Sequence, residues 1–196
     1  MKPLDTETIE LLSTAGIPKQ LFVLLHDQGG TAADMLALGN VIGGAFAEAA
    51  VLIPEGLAQV DALVAFVRAQ QQRFEIQGSA VALVGLGAGA DLALALSDAH
   101  DGLVGRVLAF GSAYAAVAGS FEKAPELTTL HLLHGQDDKV APVTLARQGF
   151  ERLMALNADA TLDVAASLGH ELHPALMDQA VVRLQTCVPL RYWRDL

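Results

Sequence analysis

The residues of this chain that could do chemistry lie in four short segments. One is the turn Gly85-Leu86-Gly87-Ala88-Gly89, and the others are His26–Gly30 and the segments around Asp138 and His170. A G-x-S-x-G turn bends the chain sharply and presents a serine hydroxyl as nucleophile, with a histidine as base and a carboxylate to orient it. Here the central position is Gly87, which has no hydroxyl. The sequence therefore indicates the frame of a nucleophilic site without its nucleophile.

The elements around these segments alternate between strand and helix patterns. Apolar runs predict the strands, at Leu21–Leu25, Ala49–Ile53, Val81–Val84, Arg106–Phe110, Thr128–Leu133 and Thr161–Ala165. Helical spacing predicts the helices, at about Thr31–Ala47, Leu57–Phe74, Ala90 onward, Val143–Leu156 and His173 or Pro174 to Thr186. The piece Ile9–Leu12 fits an edge strand or a short helix. This alternation predicts an α/β fold with a doubly wound, mostly parallel sheet and helices on both faces.

The four segments follow predicted strands, where sheets of this class bind their ligands. The length of 196 residues and the absence of any linker or repeat predict a single domain over residues 1–196.

Composition excludes several classes of partner. The net charge of −10 repels nucleic acid and anionic bilayers, and no apolar stretch is long enough to span a membrane. Cys187 is the single cysteine, and the N-terminus lacks the apolar segment of a signal peptide, so we expect a cytoplasmic protein. We expect no cofactor. We also expect no metal, because His134, Asp137 and Asp138 have no further ligand at convincing spacing.

Longer motifs carry a family resemblance over nearly the whole chain. They are L-F-V-L-L-H-D-Q-G-G from Leu21, V-A-L-V-G-L-G-A-G-A from Val81, T-L-H-L-L-H-G-Q-D-D-K-V from Thr129 and T-L-D-V-A-A-S-L-G-H-E from Thr161. The sequence resembles bacterial carboxylesterase/phospholipase-type α/β-hydrolases, relatives of the acyl-protein thioesterases. The resemblance implies Asp138 as the acid, His170 as the base, and the N–H groups of Gln28 and Ala88 as the oxyanion hole. Asp137 is then a neighbour of the acid.

Four departures from the family pattern surround one site. The family has Ser where this chain has Gly87, His-Gly where it has His26-Asp27, and usually Gln where it has Ala88. The connection between Pro54 and the following helix is also unusually short. Because glycine offers no oxygen, no acyl-enzyme can form at Gly87.

The resemblance and the departures together predict a hydrolase-family protein for small carboxylic (thio)esters with absent or strongly impaired activity. A water activated by His170, in the space left by the missing hydroxymethyl group, is a possible residual mechanism. The alternative is a non-catalytic binding or interaction protein that uses the vestigial cleft. A small ester or acyl ligand and a homodimer are the partners considered, and Tyr192 and Trp193 could pack the tail or form the dimer contact.

Other interpretations of single motifs remain open. The glycines from Gly85 could form a shortened dinucleotide-binding turn, with Ala90 in place of its third glycine and Asp98 or Asp101 as the ribose ligand. His170 and Asp138 could be ordinary loop and turn residues. At His26 the expected role is structural, holding the loop backbone.

Overall fold

The computed structural model describes residues 7–13, 16–187 and Pro189. Its centre is a sheet of seven strands in the order β1-β3-β2-β4-β5-β6-β7. The strands are β1 (Thr8–Leu11), β2 (Gln20–Leu25), β3 (Ala49–Pro54), β4 (Val81–Leu86), β5 (Arg106–Phe110), β6 (Thr129–Gly135) and β7 (Ala160–Ala165). β1 pairs antiparallel with β3, and every other pairing is parallel. The mostly parallel sheet expected from the sequence is confirmed, and Ile9 lies in an edge strand.

Five helices cover the two faces of the sheet: α1 (Leu36–Ala45), α2 (Val60–Phe74), α3 (Ala88–Ala99), α4 (Val143–Ala155) and α5 (Pro174–Thr186). Alternate β2 residues point to opposite faces. Leu21 and Val23 pack in a core with residues of α2, α3 and α4, whereas Phe22 and Leu24 pack in a second core with residues of α1 and α5. The sheet is therefore buried on both sides, which explains the unbroken apolar runs.

Some element boundaries differ from those predicted. The chain forms a short 3-10 turn, Ala32–Met35, before α1, and α2 begins at Val60 rather than near Leu57. At the start of the turn, the Asp34 carboxylate accepts hydrogen bonds from the backbone N–H (2.7 Å) and the hydroxyl (3.1 Å) of Thr31. This is the capping contact that the Thr31–Asp34 spacing predicts.

The strand order reverses direction between β2 and β4. From β2 the chain crosses to β3 on one side, and from β4 onward it builds the sheet on the other side. Loops that leave β2 and β4 at their carboxyl ends therefore diverge and leave a crevice, the usual ligand position in such sheets. None of the described helices is long and apolar enough to cross a membrane.

Candidate active site

The turn between β4 and α3 has the sharp geometry that its glycines predict. Gly87 has φ 54° and ψ −118°, a conformation that disfavours residues with a side chain. Its N–H donates to the Phe110 carbonyl oxygen (2.9 Å), and its own carbonyl accepts from Asp91 N–H (2.9 Å) in the first turn of α3. A Cβ at Gly89 would lie 2.3 Å from the Leu25 carbonyl oxygen. The start of α3 therefore packs directly against the end of β2.

Asp138 and His170 come together at the ends of β6 and β7. The His170 Nδ1 donates to Asp138 Oδ2 at 2.7 Å, and Asp138 is buried, with 6% of its surface exposed. Its other oxygen, Oδ1, accepts hydrogen bonds from the N–H groups of Val140 (2.8 Å) and Ala141 (2.9 Å). Because Nδ1 donates to the carboxylate, a neutral His170 ring carries its lone pair on Nε2, the atom that acts as base in such pairs. The neighbouring Asp137 is exposed and is not part of this contact.

Two further residues, His134 and Gly111, lie against this pair, and neither was predicted from the motifs to be part of the site. The buried His134 donates from Nε2 to the Ala141 carbonyl oxygen at 2.7 Å and lies 3.4 Å from Asp138 Oδ2. Gly111 makes room for the His170 ring, because a Cβ there would lie 2.7 Å from His170 Cε1. Sequence could have placed Gly111 at the site, because it directly follows β5 and β5 lies between β4 and β6 in the sheet.

The carboxylate of Asp27 occupies the space that a side chain at position 87 would take. A Cβ built on Gly87 would lie 2.1 Å from Asp27 Oδ1 and 2.4 Å from its Cγ. Oδ1 accepts hydrogen bonds from Gln28 N–H (2.7 Å) and Ala88 N–H (2.8 Å). These are the two donors that the family resemblance assigns to an oxyanion hole, so in this structure a side chain of the protein itself occupies them.

The other oxygen of Asp27 lies against the histidine. Asp27 Oδ2 is 3.3 Å from His170 Nε2, so the imidazole stands between two carboxylates, with Asp138 on its Nδ1 side. No described residue forms a hydrogen bond of regular geometry with Nε2. The space in which the sequence analysis placed a catalytic water therefore contains the Asp27 carboxylate.

Two hydrogen bonds to the Asp27 backbone carbonyl fix the loop that carries this residue. His26 Nδ1 donates to the Asp27 carbonyl oxygen at 2.8 Å, and the Gly30 N–H donates to the same oxygen at 3.0 Å. This contact gives His26 the structural role expected from the sequence. The sequence identified Asp27 as a departure from the family but gave it no role. The available signal was that two expected departures from the family pattern complement each other: a carboxylate for glycine at position 27 and glycine for serine at position 87.

A cleft of about 250 Å³ opens above these groups. Its polar lining comes from Asp27, Gln28, Asp91 and His170, and its apolar lining includes Ala113, Val140 and Leu145. A second hollow of about 300 Å³ lies on the other side of Gln28 and Ala88 and is lined by the short connection that follows Pro54. The serine nearest the turn, Ser112, is buried and donates its hydroxyl hydrogen to Asp91.

The geometry disfavours a dinucleotide site at this turn. The N–H groups of Gly87 and Ala88, which would face a phosphate, are bonded to the protein. Asp98 accepts from the Tyr114 hydroxyl (3.0 Å) and Phe121 N–H (2.8 Å), and Asp101 binds the backbone N–H groups of residues 126 and 127. Within the described ranges, no group of three or more His, Cys, Asp and Glu side chains is placed to hold a metal ion. Tyr192 and Trp193 lie outside the described residues.

Known proteins resemble this chain in sequence and in fold. Esterase YpfH of Escherichia coli (strain K12) is 30% identical over 204 residues, a match that covers 90% of this chain and 87% of that protein. The crystal structure of the Bacillus cereus carboxylesterase superposes with a TM-score of 0.79 at 16% identity, covering 93% of this chain and 95% of that one. The crystal structure of esterase PE8 superposes with a TM-score of 0.78 at 21% identity, covering 93% of this chain and 99% of that one. The sequence profile of the phospholipase/carboxylesterase family matches residues 47–188. The chain therefore belongs to the phospholipase/carboxylesterase family of α/β-hydrolases.

Proposed function

We propose that this protein has lost serine-dependent ester hydrolysis while keeping the acid–base pair that such hydrolysis uses. The observation that carries the proposal is the position of Asp27, whose Oδ1 accepts from both Gln28 and Ala88 N–H groups beside Gly87. An acyl-enzyme needs a nucleophilic oxygen, and Gly87 supplies none. An oxyanion needs free donors, and here a carboxylate already uses them.

The Asp27 carboxylate also opposes the charge that ester hydrolysis develops. A tetrahedral intermediate places a negative oxygen in the hole, where two N–H donors would stabilise it. With Asp27 in that place, an incoming carbonyl meets a carboxylate, and like charges at short range are costly in a partly buried site. Both changes act in the same direction, toward absent or strongly impaired turnover.

The ligand class that we propose for the cleft is a small, uncharged carboxylic ester or thioester. Esterase YpfH and the superposed structures carry esterase names, which supports esters as the ancestral class. The volume of about 250 Å³ suits a small molecule, and Val140 and Leu145 offer apolar contact. Asp27 and Asp91 repel carboxylate ligands. The roles of acid for Asp138 and base for His170 are part of this proposal.

Non-catalytic binding is the second candidate. It is favoured by the state of the cleft, which stays open above His170 although the position of the nucleophile is filled. In that case a ligand would be retained and released unchanged. The single-domain organisation and the possible homodimer of the sequence analysis stay predictions.

Hydrolysis of 4-nitrophenyl acetate tests the loss of ester turnover. We expect the protein and its His170→Ala variant to release 4-nitrophenolate at the same slow rate, because the base has no serine to activate. His100→Ala is the matched control, since His100 follows α3 and lies outside the cleft. A rate that falls with His170→Ala and not with His100→Ala would contradict the proposal.

A further inference from the structure

We propose that Asp27 is itself a nucleophile, which takes an alkyl group from small, uncharged alkyl halides, and that His170 activates the water that releases the alcohol. The Asp27 carboxylate lies where a side chain at position 87 would stand, with Oδ1 bound to the two N–H donors and Oδ2 opposite the histidine. A positioned carboxylate is one of the groups that form covalent intermediates in enzymes. This inference goes beyond the loss of ester hydrolysis proposed above.

The two oxygens of Asp27 have different surroundings. Oδ1 is bound to the Gln28 and Ala88 N–H groups at 2.7 and 2.8 Å, so it is fixed and polarised. Oδ2 lies 3.3 Å from His170 Nε2 without a regular hydrogen bond, and 31% of the side-chain surface of Asp27 is exposed. Oδ2 is therefore the oxygen available to attack, and Oδ1 is the oxygen available to carry charge.

The chemistry of a carboxylate selects the substrate class. Attack on the acyl carbon of an ester would form an anhydride and expel a far more basic alkoxide, so the attack would reverse. Attack on a saturated carbon that carries a halogen expels a stable halide ion and leaves an ordinary ester. Among the described residues, those that line the cleft include no lysine or tyrosine that could protonate a basic leaving group. A halide needs no such proton, so alkyl halides fit the described cleft better than epoxides do.

The reaction balances without a further reactant. Oδ2 attacks the carbon, and the carbon–halogen bond breaks with its electron pair leaving on the halide. His170 Nε2 then takes a proton from water, and the hydroxide adds to Asp27 Cγ, which places the negative charge on Oδ1 between the Gln28 and Ala88 donors. Collapse releases the alkoxide, which takes the proton from His170, and leaves Asp27 as a carboxylic acid. The Asp27 carboxyl group then loses its proton to solvent and is again a carboxylate. The sum is alkyl halide and water to alcohol, halide and a proton.

Trapping with 1-bromobutane tests the proposal. In the His170→Gln variant the alkyl ester should accumulate, because no base activates water. We expect peptide mass spectrometry to find one butyl group on Asp27, formed at least about tenfold faster than on Asp91, the other carboxylate in the cleft lining. In Asp27→Asn the butyl group should be absent, and thermal unfolding of each variant checks that it is folded.

The unmodified protein provides an independent readout. Turnover of 1-bromobutane in H₂¹⁸O should place ¹⁸O in the Asp27 carboxylate before it appears in butanol, because water attacks Cγ. Butylation of Asp27 no faster than that of Asp91, or butanol that contains ¹⁸O while Asp27 stays unlabelled, would overturn the proposal. Either result leaves the ester assay unaffected, so failure here is distinguishable from failure of the proposed function.

Discussion

The base side and the nucleophile side of the cleft have diverged to different extents from the family pattern. On the base side, Asp138 and His170 form a short hydrogen bond at 2.7 Å, supported by backbone N–H donors and by His134. On the nucleophile side, the turn keeps its backbone shape, but the Asp27 carboxylate occupies the place of a serine side chain. This difference means that a well-ordered hydrogen bond between a carboxylate and a histidine is not by itself evidence of ester hydrolysis. The group on which the base acts has to be identified separately.

The largest effect is expected when two substitutions rebuild the nucleophile side. We expect the double variant Asp27→Gly, Gly87→Ser to gain ester hydrolysis, by about 10²- to 10³-fold over the unmodified protein. The double change supplies a hydroxyl and frees the Gln28 and Ala88 donors. Hydrolysis of 4-nitrophenyl acetate measures the gain.

The two single variants are the controls for this gain. Gly87→Ser alone should stay near the starting rate, because its Cβ would lie 2.1 Å from Asp27 Oδ1. Asp27→Gly alone should also stay there, since it adds no nucleophile. Equal activity of Gly87→Ser and the double variant would show that Asp27 does not obstruct the site.

A third substitution, at Asp138, tests the base side of the rebuilt protein. Adding Asp138→Asn to the double variant should remove about 10²-fold or more of its activity. The amide oxygen would have to accept from Val140 and Ala141 N–H, which turns the NH₂ group toward His170 Nδ1 and imposes the wrong tautomer. Asp137→Asn is the matched control, because that exposed neighbour does not contact His170. If both substitutions lower kcat/KM equally, the assignment of Asp138 as the acid is wrong.

Low pH should lower the free energy of unfolding through His131, which lies on β6, the strand that precedes Asp138. His131 on β6 is fully buried, and burial, with the positive charges of Arg106 and Arg183 adding to it, lowers its pKa from 6.5 to about 4. Between these values the unfolded chain binds more protons, so this contribution to stability is complete above pH 6.5 and is lost as the pH falls toward 4. It amounts to at most on the order of 3 kcal/mol.

Urea unfolding at pH 7 and pH 4.5 measures this loss. In His131→Asn the hydrogen bond that Nδ1 makes with Thr161 Oγ1 (2.9 Å) can be kept while the titrating group is removed. The pH dependence of its unfolding free energy should therefore be weaker than that of the unmodified protein. An unchanged pH dependence would mean that the lost stability comes from other groups.

The smallest expected effect tests whether a side chain at position 87 and the Asp27 carboxylate compete for the same space. Gly87→Ala should lower the unfolding free energy by roughly 2–3 kcal/mol, because it adds the strain of a positive φ and displaces the Asp27 carboxylate from its hydrogen bonds. In an Asp27→Gly background only the strain remains, roughly 1–2 kcal/mol. Denaturant unfolding of the four proteins gives the coupling energy as a double-mutant cycle. Additive effects would show that the two positions do not compete for space.

Much of the fold could be predicted because its signals are local. The apolar runs of β2 and β4 and the glycines from Gly85 to Gly89 determine strand, turn and helix over a few residues each. The order of the motifs then predicted which loops share an edge of the sheet. The 3-10 turn before α1 and the late start of α2 were missed, since element ends depend on tertiary contacts such as the Glu55 carboxylate that accepts from Ala32 N–H (2.7 Å).

The content of the site was less predictable than its position. The sequence named Asp27 and Gly87 as separate departures, but the direction of a side chain depends on the loop backbone that carries it. Here the His26–Gly30 loop points the Asp27 carboxylate across the crevice, into room that exists only because residue 87 has no Cβ. This relation joins residues 60 positions apart, so no local pattern could reveal it.

The overlap between the Asp27 carboxylate and any side chain at position 87 constrains the order in which mutations could introduce serine-dependent ester hydrolysis. A serine introduced first would meet the carboxylate at 2.1 Å and would be selected against as a destabilising change. Glycine would have to replace Asp27 before serine could return at position 87, although that first step brings no activity. This steric overlap therefore makes the proposed loss of ester hydrolysis hard to reverse by single mutations.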